Sequence, residues 1–426
     1  MKIALVGTRG VPAAYSGFET AVENIGERLA QRGHDVTVYC RPHMVEGRYR
    51  TYRGMRLVYL PTVASKHLDT FVHTLVSTLH LAFVRRPDVA IYFIAGNSPF
   101  AGMSKALGVP SLLNVDGLDS LRGKWGGAAK RYLRWTERNA PRLATAVITD
   151  SRIVQKLYRD EFGAQTCYIP YGADVGDADV GDADAGGTDG EGADRGEPVA
   201  GDSGILAGFG LEPRGYVLFV HRLVPENNAH VLVDAFGQLA AGDASPAAAP
   251  GGASPAAAPC GDAASDLKLL VVGDAPYADA YQVDLRAQVE AVNAQLGAER
   301  VILPGYVFGE RFRALARNAA VFVVPTEVGG THPVLLEAMA AGNAIVVNDH
   351  APNLEVVGDA AASYRGAEGA EGLAAVLREL LADPARMAEL RRQARERALR
   401  LYSWEAVTDA YERLAERLLR GGRSAG

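Results

Sequence analysis

The sequence predicts an α/β protein of two doubly wound, Rossmann-like domains facing a central cleft, and three observations lead there. Short apolar runs alternate with amphipathic helical stretches through both halves of the 426 residues, the pattern of a parallel sheet wrapped by helices. An acidic, glycine-rich stretch divides the alternation near its middle. Length and a 48% hydrophobic content permit two sizeable cores.

In the first half KIALV, HDVTVY, MRLVYL, DVAIYFIA, VPSLLNV and TAVIT read as buried strands, most followed by a helical stretch such as FETAVENIGERLAQRG. CYIPYGAD closes this half, which sets a first domain at residues 1–172. Residues 173–213 read as an acidic low-complexity linker with almost no large apolar side chain from which to build a core. A second domain, residues 214–400, starts at YVLFVHRLVPENN and continues through LKLLVVGD, VILPG, AVFVVPT and AIVVND. An Ala/Pro-rich insert at 241–265 reads as a disordered surface loop within it. The terminal segment 401–426 is expected to be a helix packing back on the first domain.

Charge, cysteines and hydropathy exclude several classes. Residues 173–202 hold ten Asp or Glu and one Arg, so they account for the formal charge of -6 and leave the remainder mildly basic. Asp177-Ala-Asp179 and Asp182-Ala-Asp184 imitate a metal-binding DxD, but a solvated repeat explains them, so no metal is assigned. Cys40, Cys167 and Cys260 are odd in number and without a CxxC pair, which fits a reduced, cytoplasmic setting. MKIALVGTRG is too short in apolar residues for a signal peptide. HTLVSTLHLAFV, at 73–84, is too short to span a bilayer.

The stretch GGTHPVLLEAMAAG carries the first functional signal. Pro333 suits the first turn of a helix, and Gly330 and Thr331 stand at its start, where free N–H groups and the helix dipole favour a phosphate. Arg222, just past the strand YVLFV, sits where open α/β sheets bind ligands and suits a diphosphate. Glu337, one turn into the helix, is placed to accept hydrogen bonds from a ribose diol.

HRLVPENNAHVLVDAF, VPTEVGGTHPVLLEAMAAGNAIVVND and NLEVVGDAA together resemble the nucleotide-binding half of the family 4 glycosyltransferases of GT-B fold. GTRGVPAAYSGFETAVENI, IAGNSPF and NVDGLDSLRGKW are similar to a bacterial subgroup that includes rhamnosyltransferases of cell-surface polysaccharide assembly. The resemblance implies retaining transfer of L-rhamnose from deoxythymidine diphosphate rhamnose to a polyprenyl-diphosphate-linked sugar, with no cofactor and no essential metal. It assigns Arg222 and Glu337 to the donor. Asn227 stands where the family's lysine is usual and Gly329 where its first glutamate is usual. Glu327 is a candidate substitute carboxylate. The GTRG loop, with Gly10 and Gly17, would close over donor phosphates and acceptor; its glycines do not fit the dinucleotide fingerprint. Asp116 would accept or orient the acceptor hydroxyl's proton. With no obvious nucleophile, front-side displacement follows, the leaving diphosphate being stabilised by Arg222 and the helix dipole.

The segment 122–142 places Lys124, Lys130, Arg131 and Arg134 with Trp125, Tyr132 and Trp135. A basic aromatic helix suits an anionic membrane, the inner face of the plasma membrane being where a lipid-linked acceptor would be found. A solvated basic face would read the same. Two rival readings remain open, a GT-B nucleotide-sugar epimerase and a non-catalytic relative.

Overall fold

The computed structural model describes all residues except 13–16, 46, 64, 66–67, 116, 118–119, 121–125, 175–200, 243–265, 276–278, 329–330 and 424–426. The chain forms two compact units. One comprises Met1–Ala173, Gly329–Pro333 and Tyr402–Gly426, the other Asp174–Val328 and Val334–Leu401.

The first unit runs β1 (Lys2–Val6), α1 (Gly17–Gln31), β2 (Asp35–Cys40), β3 (Thr51–Tyr52), β4 (Met55–Tyr59), α2 (Asp69–His80), β5 (Val89–Phe93), α3 (Ser98–Ala106), β6 (Ser111–Val115), α4 (Gly127–Leu143), β7 (Ala146–Thr149), α5 (Arg152–Phe162) and β8 (Cys167–Tyr168). Its sheet has the order β3-β4-β2-β1-β5-β6-β7-β8, with only the β3–β4 pair antiparallel. Strands such as VAIYF are buried along their whole length, as helices on both faces of a parallel sheet require.

The second unit runs α6 (Asp202–Ala207), β9 (Tyr216–Val220), α7 (Ala229–Gly242), β10 (Lys268–Val272), α8 (Asp279–Leu296), β11 (Val301–Gly305), α9 (Gly309–Asn318), β12 (Val321–Val324), α10 (Pro333–Ala340), β13 (Ala344–Asn348), α11 (Ala351–Val357), β14 (Ala362–Tyr364), α12 (Gly369–Leu381) and α13 (Pro384–Tyr402). Its all-parallel sheet has the order β11-β10-β9-β12-β13-β14. The strand order reverses between β9 and β12, which makes their carboxyl ends the topological switch point.

One boundary differs from the sequence expectation. Residues 202–213 do not belong to the linker: Asp202 is buried and accepts from Arg317 and Asn318 of α9, and Leu206 and Leu211 are buried. One carboxylate shared by two donors secures this short helix. The last helix, α14 (Trp404–Arg423), packs against α1 in the first unit. There Arg32 bridges Glu405, Asp409 and Glu412, and the buried Tyr411 hydroxyl accepts from the Asn114 amide at the end of β6.

Candidate functional site

In the second unit the loops that leave β9 and β12 meet at the switch point. The β12 loop is fixed through its carbonyls: Asn228 and Asn348 both donate to Pro325 O at 2.9 Å, and Asn348 and Asn353 donate to Thr326 O at 3.1 and 3.0 Å. All three asparagines are buried. Their amides satisfy loop backbone that no ladder can reach. The two loops are joined directly, since the Glu327 N–H donates to Glu226 O at 3.1 Å. The Glu327 side chain is exposed.

Arg222 lies on the β9 loop with its side chain exposed. Asn227 is different: it is 2% exposed, and its amide nitrogen donates to Arg222 O at 2.7 Å and to His221 Nδ1 at 2.6 Å. The Arg222 N–H donates to the same ring nitrogen at 2.9 Å. Asn227 therefore shapes the loop that carries Arg222, where the sequence reading gave it a donor contact. The reading missed His221, although it stands beside Arg222 in HRLVPENN. Its backbone is pressed against Gly273, where a Cβ would lie 1.8 Å from His221 O. Only glycine permits that approach at φ +146°.

Glu337 lies in the first turns of α10, half-buried. Burial pushes its carboxyl up to about 7, and the nearby negative charge of Asp174 adds to the rise.

In the first unit Gly10 has φ +113°, and a Cβ there would meet Cys40 Sγ at 2.6 Å, so β2 itself requires this glycine. A Cβ on Gly17 would meet Pro333 Cγ at 2.9 Å; the close approach that Gly17 permits is to the residue opening α10. Thr331 is buried and its hydroxyl donates to Asp150 O at 3.1 Å, which directs it to the protein. The GTRG loop is held by Glu19, which is buried and accepts from the Arg9 N–H at 3.0 Å. The sequence reading passed over Glu19, which stands in the first turn of an ordinary amphipathic helix.

Asp116, Lys124 and Gly330 lie outside the described residues, as do the two DxD-like repeats. Among the described residues no group of three or more His, Cys, Asp or Glu stands together to hold a metal. On α4, Arg131 and Arg134 are exposed and Lys130 is half-buried, while Leu133, Thr136, Glu137 and Ala140 face inward. No described helix is long and apolar enough to cross a membrane.

Two domain families match this chain, the glycosyl transferase 4-like domain over residues 16–172 and glycosyl transferases group 1 over residues 209–398. The chain is similar to sucrose-phosphate synthase from Thermosynechococcus elongatus, with a TM-score of 0.71, 20% identity and 99% of each chain covered. Anabaena HepE, solved in complex with UDP-glucose, superimposes with a TM-score of 0.68 at 16% identity over 98% of this chain and 100% of that one. Among curated proteins it is similar to a lipopolysaccharide 1,2-N-acetylglucosaminetransferase of Salmonella typhimurium, 26% identical over 215 residues. That match takes in 48% of this chain and spans only 56% of the relative's length. Residues 16–172 thus match the glycosyl transferase 4-like domain and residues 209–398 the glycosyl transferases group 1, and the two parallel-sheet, Rossmann-like units are those of the GT-B fold.

Proposed function

We propose that the chain transfers a sugar, L-rhamnose from deoxythymidine diphosphate rhamnose, with retention of configuration onto a lipid-linked saccharide in cell-surface polysaccharide assembly. The observation that carries this reading is the exposed Arg222 at the switch point, on a loop held by Asn227 and beside His221. A guanidinium there suits the donor diphosphate by charge-assisted, bidentate hydrogen bonds. The UDP-glucose bound to HepE and the glycan named for the Salmonella relative support a nucleotide-sugar donor and a surface glycan.

In the proposed reaction the acceptor hydroxyl oxygen attacks the anomeric carbon from the side on which the nucleoside diphosphate departs. The new glycosidic bond forms as the carbon–phosphate oxygen bond breaks. The hydroxyl proton passes to the leaving phosphate, oriented by Asp116, which follows the end of β6. Arg222 bears the charge that develops on the diphosphate, with the N-terminus of α10 behind Gly330 and Thr331. Glu337 takes the ribose diol. No metal enters these steps. The enzyme would work in the cytoplasm, peripherally at the inner face of the plasma membrane, with basic α4 toward the lipid.

The test is mass-detected transfer from a panel of nucleotide sugars to a polyprenyl-diphosphate-linked N-acetylglucosamine mimic, with and without chelator. Chelator-resistant rhamnose transfer is expected. Arg222→Ala should lower it by about a hundredfold or more, and Asp116→Asn by about tenfold with donor binding intact. Transfer of another sugar would remove the rhamnose assignment. No transfer and no donor hydrolysis would favour a non-catalytic nucleotide-sugar-binding relative.

A further inference from the structure

Helix α2 is built inside out. The residues it turns inward are polar: His73, Thr74, Ser77 and Thr78 are fully buried. Thr74 and Thr78 donate to the carbonyls one turn back and His73 Nε2 pairs with Cys40 O at 3.1 Å, while His73 Nδ1 and Ser77 Oγ are buried without a hydrogen-bond partner among the described residues. The residues it turns outward are apolar. Leu68, Phe71 and Leu79 are exposed, and the π-helical turn Leu81–Arg85 that follows raises Phe83 and Val84 to 69% and 67% exposure. Those two are the most exposed large apolar side chains among the described residues. A surface helix of a freely soluble domain has the opposite pattern.

The apolar face is bordered by cations. Arg85 and Arg86 follow Phe83 and Val84 directly and are exposed. The Phe71 ring packs on Phe100 of α3 and stands 6.5 Å from that of Tyr132 on α4, the helix that carries exposed Arg131, Arg134, Trp135 and Arg138. An apolar ridge flanked by arginines and a tryptophan matches the acyl boundary of an anionic bilayer, with guanidinium groups at the phosphates and the aromatic ring at the interface.

We infer that α2 and its π-helical turn insert into an anionic membrane, with Leu68, Phe71, Leu79, Phe83 and Val84 entering the acyl boundary and α4 gripping the headgroups. The inference deepens the membrane part of the proposed function and names its insertion element as a helix other than the basic one.

The experiment is flotation of the full chain with phosphatidylcholine vesicles, with and without phosphatidylglycerol, at low and high salt. Wild type is expected to float with the anionic vesicles and less so at high salt. The double variant Phe83→Ser, Val84→Ser should lose at least tenfold in partitioning. Because both residues are already in solvent, circular dichroism and donor hydrolysis should match wild type. Unchanged flotation of the double variant would overturn the inference. So would a wild-type chain that ignores both vesicles, or one that instead self-associates in a manner the double variant loses. Flotation by a chain inert toward every donor would leave the surface standing and remove the transferase reading.

Discussion

Asn227 turns its amide onto Nδ1 of His221, 2.6 Å away. The same nitrogen donates to Arg222 O, and the Arg222 N–H points at the same ring atom, so Nδ1 can only accept. A neutral His221 ring thus carries its proton on Nε2, beside Arg222. In family 4 enzymes a lysine is usual at the place of Asn227; here the buried Asn227 has none of a lysine's reach, and His221 stands next to the cation that remains.

This predicts a ranking of two amide substitutions. Glutamine extends its N–H about as far as Nε2, whereas asparagine reaches only as far as Nδ1. Calorimetric titration with deoxythymidine diphosphate and with UDP should find His221→Gln within about threefold of wild type and His221→Asn weaker by about tenfold, the loss of one hydrogen bond to a charged group. The reverse order would mean that His221 serves only to cap the Arg222 N–H.

Gly273 predicts a backbone effect at the same place. A methyl group there would overlap His221 O at 1.8 Å, and the site already has φ +146°. Gly273→Ala should destabilise the chain by about 2–4 kcal/mol and weaken nucleotide binding. Gly297→Ala is the control: φ is +66° with no atom within 4 Å, so only the conformational cost of about 1 kcal/mol applies. Equal losses in urea unfolding would show that contact with His221 is not what Gly273 avoids.

The parallel sheets were legible in the sequence because strands buried on both faces are written as continuous β-branched and aromatic runs, as in VAIYF and VFVV. The edge strands Cys167–Tyr168 and Ala362–Tyr364 were not, since two or three residues carry no periodicity. Arg222 could be read because its position follows from a strand end. Asn227 and Thr331 show the limit: residue type marks them as polar, but their direction is set by neighbours remote in sequence, Thr331 by Asp150. Helix α2 shows it again. The spacing of Leu68, Phe71, Leu79 and Phe83 reads the same whether that face is buried or bare.

Glu337 predicts a pH dependence whose sign is fixed by the direction of its shift. Its carboxyl is raised from 4.5 to about 7 on folding, so between those values the folded chain holds a proton that the unfolded chain has released. Stability from this group is complete below pH 4.5 and is lost as pH rises through 7. Glu337→Gln removes that dependence. The stability of wild type relative to the variant should fall by about 3 kcal/mol from pH 4.5 to pH 8 in paired urea titrations. A constant difference would mean that the carboxyl is ionised throughout.

The C-terminal helix predicts two losses of different character. Arg32 reaches Glu405, Asp409 and Glu412 at 2.7–2.8 Å, but the first two acids are largely exposed. Solvent screens such a network, so Arg32→Ala should cost about 1 kcal/mol at low salt and less at high salt. Tyr411 is buried, and its hydroxyl is the acceptor for the Asn114 amide at the end of β6. Tyr411→Phe leaves that amide buried without its acceptor, at a cost of about 1–3 kcal/mol that salt does not change. Thermal unfolding at two ionic strengths separates the two. If Arg32→Ala proved the costlier at high salt, α14 would be held by its rim of charge rather than by the single hydroxyl it delivers to the strand end that precedes Asp116.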